Sequence, residues 1–141
     1  MEKIIIIHLL GSGVNNDFTR LNLLQNVYPS RNYTKAYICL ESFTGSITEV
    51  LQYFEINVTG LNDVYKYIGS TDGLCNVSET LEIIDQSSYQ NNDSIFDYKA
   101  PIERWREISS NNLTNFCLQI KKLTNTLFNK LFITLKIKLI E

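Results

Sequence analysis

The stretch "DYKAPIERWREIS", residues 97–109, gathers the side chains of this chain best suited to hold an anion beside a flat apolar group. Lys99 and Arg104 offer cationic donors, Tyr98 and the only tryptophan, Trp105, offer planar surfaces, and Pro101 stiffens the backbone between them. Guanidinium and ammonium groups pair with phosphate oxygens through charge-assisted hydrogen bonds, so such a loop can seat a phosphate next to a nucleoside. The same residues also suit a packing role, with Trp105 anchoring the loop to the core while the charges face water. Composition leaves both readings open and favours packing. Glu103 and Glu107 alternate with Arg104 and Arg106, which suits a solvated charged face better than acid–base work.

A second candidate is the loop "HLLGSGVNN", which follows an apolar run and precedes a helical pattern. Backbone N–H groups and a helix dipole at such a junction attract anions. Ser12 and Gly13 lie at its centre, but the Lys and the Ser/Thr of a Walker loop are missing, and the glycines do not form G-x-G-x-x-G. His8 is the sole histidine and sits inside an apolar run. A hydrogen-bonded structural role suits it better than that of a general base. With no second histidine and no close cysteine pair, zinc has no support, and no G-x-S-x-G elbow is present.

These groups need a scaffold. A chain of 141 residues, 44% hydrophobic and 20% charged, is long enough for one self-sufficient domain, taken as residues 1–141. A net charge of −2 argues against a nucleic-acid binder, and no apolar run approaches a membrane span. "MEKIIIIHLLGSG" has the outline of a secretory leader, but its apolar part is short and its head carries Glu2, so a buried strand is expected. Cys39, Cys75 and Cys117 are widely spaced and odd in number, as for buried thiols in a reducing compartment. Five Asn-x-Ser/Thr sequons, at Asn32, Asn57, Asn76, Asn92 and Asn112, stand against that, although an Asn- and Ser-rich chain generates such triplets by chance. A cytoplasmic setting is preferred to a secretory one, and the compartment stays open.

Residues 3–9 are continuously apolar and β-branched, as in a strand buried on both faces of a parallel sheet. "DFTRLNLLQNVY" places Phe18, Leu21 and Leu24 on one helical face. Residues 35–43 give a second strand. "SITEVLQYFEI" follows, with Ser46 and Glu49 as a capping box and Ile47, Val50, Leu51 and Phe54 at helical spacing. Residues 57–100 are irregular, with a short helix in "GLNDVYKYIG" and either helix or strand in "LEII". From Ser110 helical spacing returns through Leu113, Phe116, Cys117, Ile120 and Leu127 to Leu131. The tail "ITLKIKLI" alternates with period two, which fits a strand or an unwound helix end. Two successive strand–helix units predict an α/β fold, a parallel-sheet core with flanking helices.

In that order the segments resemble the nucleotide-sulfate-dependent sulfotransferases. Leu40, Glu41, Ser42 and Phe43 stand where that family typically reads Y-E-D-L, and Phe54, Glu55 and Ile56 fall near its F-L-G. "YKAPIERWR" takes the place of a loop reading R-K-G-x-x-G-D-W-K or G-R-W-R, again ahead of a long helix. The similarity covers residues 33–130, the family's C-terminal part. It implies a P-loop-like partial domain that binds 3′-phosphoadenosine 5′-phosphosulfate (PAPS). Lys99 matches the lysine of the 3′-phosphate contact, Tyr98 stands for its arginine, and Arg104 with Trp105 matches the R-W. In the phosphosulfate loop P-K/R-S-G-T-T, Ser12 and Gly13 are retained, while Gly11 replaces the basic residue and Val14 a threonine. The R-x-x-x-x-S-x-Y motif has no counterpart, and the family is about twice this length.

The resemblance therefore implies a truncated, internally deleted or diverged sulfotransferase, transferring sulfonate to a hydroxyl or amine of a small-molecule or glycan acceptor, with little turnover by this chain alone. Sulfonyl transfer needs stabilised charge on the donor oxygens and a deprotonated acceptor, and neither device is visible. The alternative is a non-catalytic nucleotide-binding or protein-interaction module.

Overall fold

The computed structural model describes residues 2–13, 16–25, 33–47, 53–61, 79–85, 95–122 and 127–141. Strand accounts for 67% of them and helix for 5%. The α/β expectation is thereby overturned. In place of a parallel sheet with flanking helices there are two antiparallel sheets packed face to face.

The strands are β1 (Glu2–Ser12), β2 (Phe18–Leu21), β3 (Lys35–Ser46), β4 (Tyr53–Val58), β5 (Thr80–Asp85), β6 (Ile95–Lys99), β7 (Arg106–Ile108), β8 (Phe116–Lys121) and β9 (Lys130–Ile140), with one short helix, α1 (Ser110–Thr114). Sheet A runs β1-β9-β3-β6, with β7 also on β3, and sheet B runs β2-β8-β4-β5. Apart from the neighbours β4–β5 and β6–β7, successive strands change sheet, and the last strand inserts between the first and third. This interleaving is that of a jelly roll.

The misread segments share a physical cause. Ser46 ends β3 instead of capping a helix, and Phe54 and Ile56 belong to β4; residues 48–52 between them lie outside the described set, as do most of "GLNDVYKYIG" and Cys75. Phe18 and Leu21 lie in β2, whose pairing with β8 carries a register shift. The expected long helix is α1 followed by β8 and β9. In an apolar-rich chain, i, i+3, i+4 matches arise by coincidence, and Asn, Thr, Ile and Phe are poor helix formers. Period two was present alongside: Phe116, Leu118 and Ile120 are buried on β8, and Leu131, Ile133, Leu135, Ile137 and Leu139 on β9. The alternating tail is a full strand, flanked on both sides by β1 and β3.

Between the sheets lies one apolar cluster. Its centre is a triangle of rings: Phe43 of β3, Phe54 of β4 and Phe128, just ahead of β9, with centroids 5.1–5.4 Å apart. Asn16, itself buried, ties the β1–β2 corner to this point. Its Oδ1 accepts from the Phe128 N–H at 2.7 Å, and its Nδ2 donates to the carbonyls of Ser12 at 2.9 Å and Phe128 at 3.2 Å. Gly45 faces the same rings, where a Cβ would meet the Phe128 ring at 2.8 Å. A side chain there would have to displace a buried aromatic.

One irregularity positions the candidate site. Both β6 and β7 pair with β3, at Lys99↔Ser42 and Arg106↔Ile38, so six residues (100–105) stand opposite three (39–41). β6 and β7 are therefore two halves of one edge strand interrupted by a bulge. Such insertions occur at sheet edges, where they re-aim side chains and blunt the edge against unwanted pairing. "APIERW" is that bulge.

Candidate functional site

The bulge folds back over the outer face of sheet A. There Cys39 is only 1% exposed although its strand neighbours mark it as outward-facing. Between the bulge and the sheet is a cleft of about 140 Å³, lined by Cys39, Glu41, Lys99, Pro101, Glu103 and Lys136, among others. The Lys136 ammonium is 2.9 Å from Glu103 Oε1 and 3.9 Å from Glu41 Oε1. The Lys136 hydrogen bond, and after it the one from Trp105, holds the Glu103 carboxyl below the usual carboxylate range; the same contact raises Lys136. Burial, with Glu103 adding to it, pushes the Cys39 thiol up to about 11.

Trp105 does not anchor the loop in the core. Its Nε1 donates to Glu103 Oε2 at 3.0 Å, and the Lys138 ammonium sits 4.2 Å from the ring centroid on the sheet surface. One face of the indole is thus already taken by a cation. The anchor is Arg104, whose Nη1 lies 2.5 Å from Oε1 of Glu82 on β5, where the Tyr98 hydroxyl also donates at 3.2 Å. Glu82 and Tyr98 are each 5% exposed. Alongside, the buried Arg106 donates to the Thr80 carbonyl, and the Thr80 hydroxyl donates to Glu55 Oε1 at 2.8 Å. These groups form a polar seam that closes the sandwich where the β5 edge meets β6 and β7. The Arg104 cation offsets the cost of burying the Glu82 carboxylate, whereas Glu55 Oε2 is buried without a hydrogen-bond partner.

The five residues singled out in the sequence are thus scattered. Tyr98 and Arg104 turn inward to Glu82, while Lys99, adjacent to Tyr98, faces the outer cleft. Ser12 lies at the far end of β1, three strands and four residues from Lys99 in the ladder, about 14 Å across and about 14 Å along the sheet. The Gly13 N–H is already donated to the Asn129 carbonyl at 3.0 Å, and β2 rather than a helix follows. These residues do not form one cradle for PAPS. The cleft beside Lys99 is also well below the roughly 300 Å³ at which small-molecule sites begin. His8 lies on the outer face, its Nδ1 3.0 Å from Thr134 Oγ1 and its ring stacked on Phe132 at 5.3 Å. Among the described residues no group of three or more His, Cys, Asp or Glu could hold a metal ion, and no helix is long and apolar enough to cross a membrane.

The feature that sequence reasoning missed is on the same face. Ile4, Ile6 and Leu10 of β1 are 51%, 55% and 72% exposed, and Phe132 of β9 and Ile95 of β6 are 38% and 44% exposed. Leu10, Ile95 and Phe132 line an apolar groove of about 300 Å³ floored by Gly45. The signal was visible in "IIIIHLL": an uninterrupted apolar strand has two apolar faces. Both faces are covered only if another layer packs on the second. Among the described residues no strand or helix supplies that second layer over β1.

No protein-family model, curated protein or solved structure matches this chain.

A thiol measurement tests the cleft. At pH 8 a thiol with a pKa near 11 is about one part in a thousand thiolate, the reactive form. In a Cys75→Ser background, iodoacetamide should therefore modify the half-buried Cys117 well before Cys39. Truncating the cover with Ile102→Gly should speed Cys39 labelling. Equal native rates for the two thiols would show that the bulge does not close over the strand.

Proposed function

We propose that this chain is a non-catalytic interaction module whose working surface is the outer face of sheet A. The observation that carries the reading is the set of large exposed apolar side chains there: Leu10, Ile95 and Phe132 around one groove, with Ile4 and Ile6 further along β1. Scattered surface apolar residues are ordinary, whereas a contiguous set on one sheet face marks an interaction site. The chemistry-bearing groups support the same conclusion. The Arg104 guanidinium and the Glu82 carboxylate of the seam point at one another, and the exposed His8 is paired with the hydroxyl of the buried Thr134.

Photo-crosslinking tests the assignment. A benzophenone side chain at Phe132 should give discrete adducts, while the same group at Ile83, which is 39% exposed on sheet B, should give none. Equal labelling from both positions would remove the reading. Calorimetry with 3′-phosphoadenosine 5′-phosphate is expected to show no saturable heat at millimolar ligand. Binding that disappears in Lys99→Ala would instead revive the nucleotide site.

A further inference from the structure

Of the four sheet edges, three carry devices that discourage pairing. The β6–β7 edge is broken by a six-residue bulge containing Pro101 and charged residues. β2 has four residues, a register shift and Arg20 at φ 59°. β5 has six residues, a register shift against β4 and three carboxylates or hydroxyls in Thr80, Glu82 and Asp85. β1 is different. It has eleven residues in unbroken register with β9, and among the described residues no strand pairs with its other side. A long, regular, apolar edge is a template for another strand.

We infer that β1 pairs antiparallel with β1 of a second copy of this chain, joining two A sheets across a two-fold axis at Ile7. The inference rests on the interaction reading above and names the partner. Pairing over the full strand sets Glu2 opposite Ser12 of the second copy, Ile4 opposite Leu10 and Ile6 opposite His8, and each pair shares a face because the register sum is even. On the outer face the ladder then reads Phe132, Leu10, Ile4 across the axis, since Leu10 already pairs with Phe132. Ile4 and Leu10, each more than half exposed in one chain, become direct neighbours across the axis, and Ile6 meets the His8 ring of the other copy.

Charge fits the same register. Ser12 pairs with Lys130, so Glu2 of one copy lies two strands, about 10 Å, from Lys130 of the other, with only a small serine between. Two long side chains span that distance, and the two-fold axis makes the contact twice. A parallel arrangement would instead place Glu2 beside Glu2 and Lys3 beside Lys3. On the inner face Ile5 meets Leu9 and Ile7 meets Ile7, which extends both cores. The contact is isologous and uses up β1, so it closes at two copies.

Sedimentation velocity on the 141-residue chain should show a species of twice 16.3 kDa whose population rises with concentration. Ile6→Lys, at an outward position more than half exposed, should weaken it about tenfold or more without changing the circular dichroism spectrum. Glu2→Lys and Lys130→Glu should each weaken association about two- to fivefold, and the combined variant should restore it. That rescue identifies the register. A monomer at all concentrations, a dimer indifferent to Ile6→Lys, a combined variant no tighter than either single one, or assemblies that grow past two copies would each overturn the pairing. If the chain is monomeric yet Phe132 still crosslinks to another protein, the two-fold pairing falls while the interaction module stands.

Discussion

Replacing Phe128 by alanine is expected to lower the unfolding free energy by about 3–5 kcal/mol, the largest loss of any single change considered for this protein. Its ring is fully buried and touches one aromatic ring from each sheet, Phe43 and Phe54. Truncation therefore removes transfer free energy and leaves a cavity at the point where the two layers meet. Relaxation is restricted because the Phe128 backbone is held by Asn16 through both its N–H and its carbonyl. Phe128→Leu, which keeps most of the volume, should cost about 1 kcal/mol. Urea denaturation followed by tyrosine and tryptophan fluorescence measures both. A loss below 1 kcal/mol for the alanine variant would mean that the ring triangle does not hold the sheets together.

The second expectation concerns the seam. Arg104→Ala should cost about 1–3 kcal/mol, because it leaves the Glu82 carboxylate, 4% exposed, without its cation. The value lies below that of a fully enclosed pair because the Arg104 side chain is 48% exposed and water already screens it. Glu82→Gln made in the Arg104→Ala background should recover part of the loss, since the neutral amide no longer needs a cation. The two changes are thus expected to be non-additive in a double-mutant cycle. Additive losses would place Arg104 in solvent and return the anchoring role to Trp105. Loss of the anchor should also loosen the bulge, which the Cys39 labelling rate reports independently.

The bulge shows why the sequence pointed towards a phosphate loop. Lys, Arg, Trp and Tyr around a proline have the right chemistry for an anion beside a nucleoside, and their place after "YICLESF" matched a family order. That order presupposed strands feeding helices. With Phe54 on a strand and Phe116 through Lys121 on another, the loop has only the five-residue α1 behind it in place of a long helix. The same residues then do a different job: they interrupt an edge strand, cover Cys39 and lock two sheets through Glu82.

The assignment of β1 fared differently. Its β-branched run was legible as a strand, and its apolar character on both faces was legible too. Burial in the middle of a sheet was the natural inference from that pattern. The ladder puts it at an edge instead, with one face in the core and Ile4, Ile6 and Leu10 in solvent. Local preference cannot distinguish these cases, because exposure depends on which strand arrives alongside.

Residues near one another in sequence determined that 3–9 and 35–43 are extended, and gave 133–140 a two-residue period that fitted either a strand or an unwound end. Only the tertiary structure decided that the strands run antiparallel, that β9 inserts between β1 and β3, and that Tyr98 and Lys99 serve different surfaces. The reason is the two-residue period of a strand. Neighbouring side chains leave on opposite faces, and pairing partners far along the chain determine which face becomes core. A bulge of three extra residues then re-aims everything that follows it.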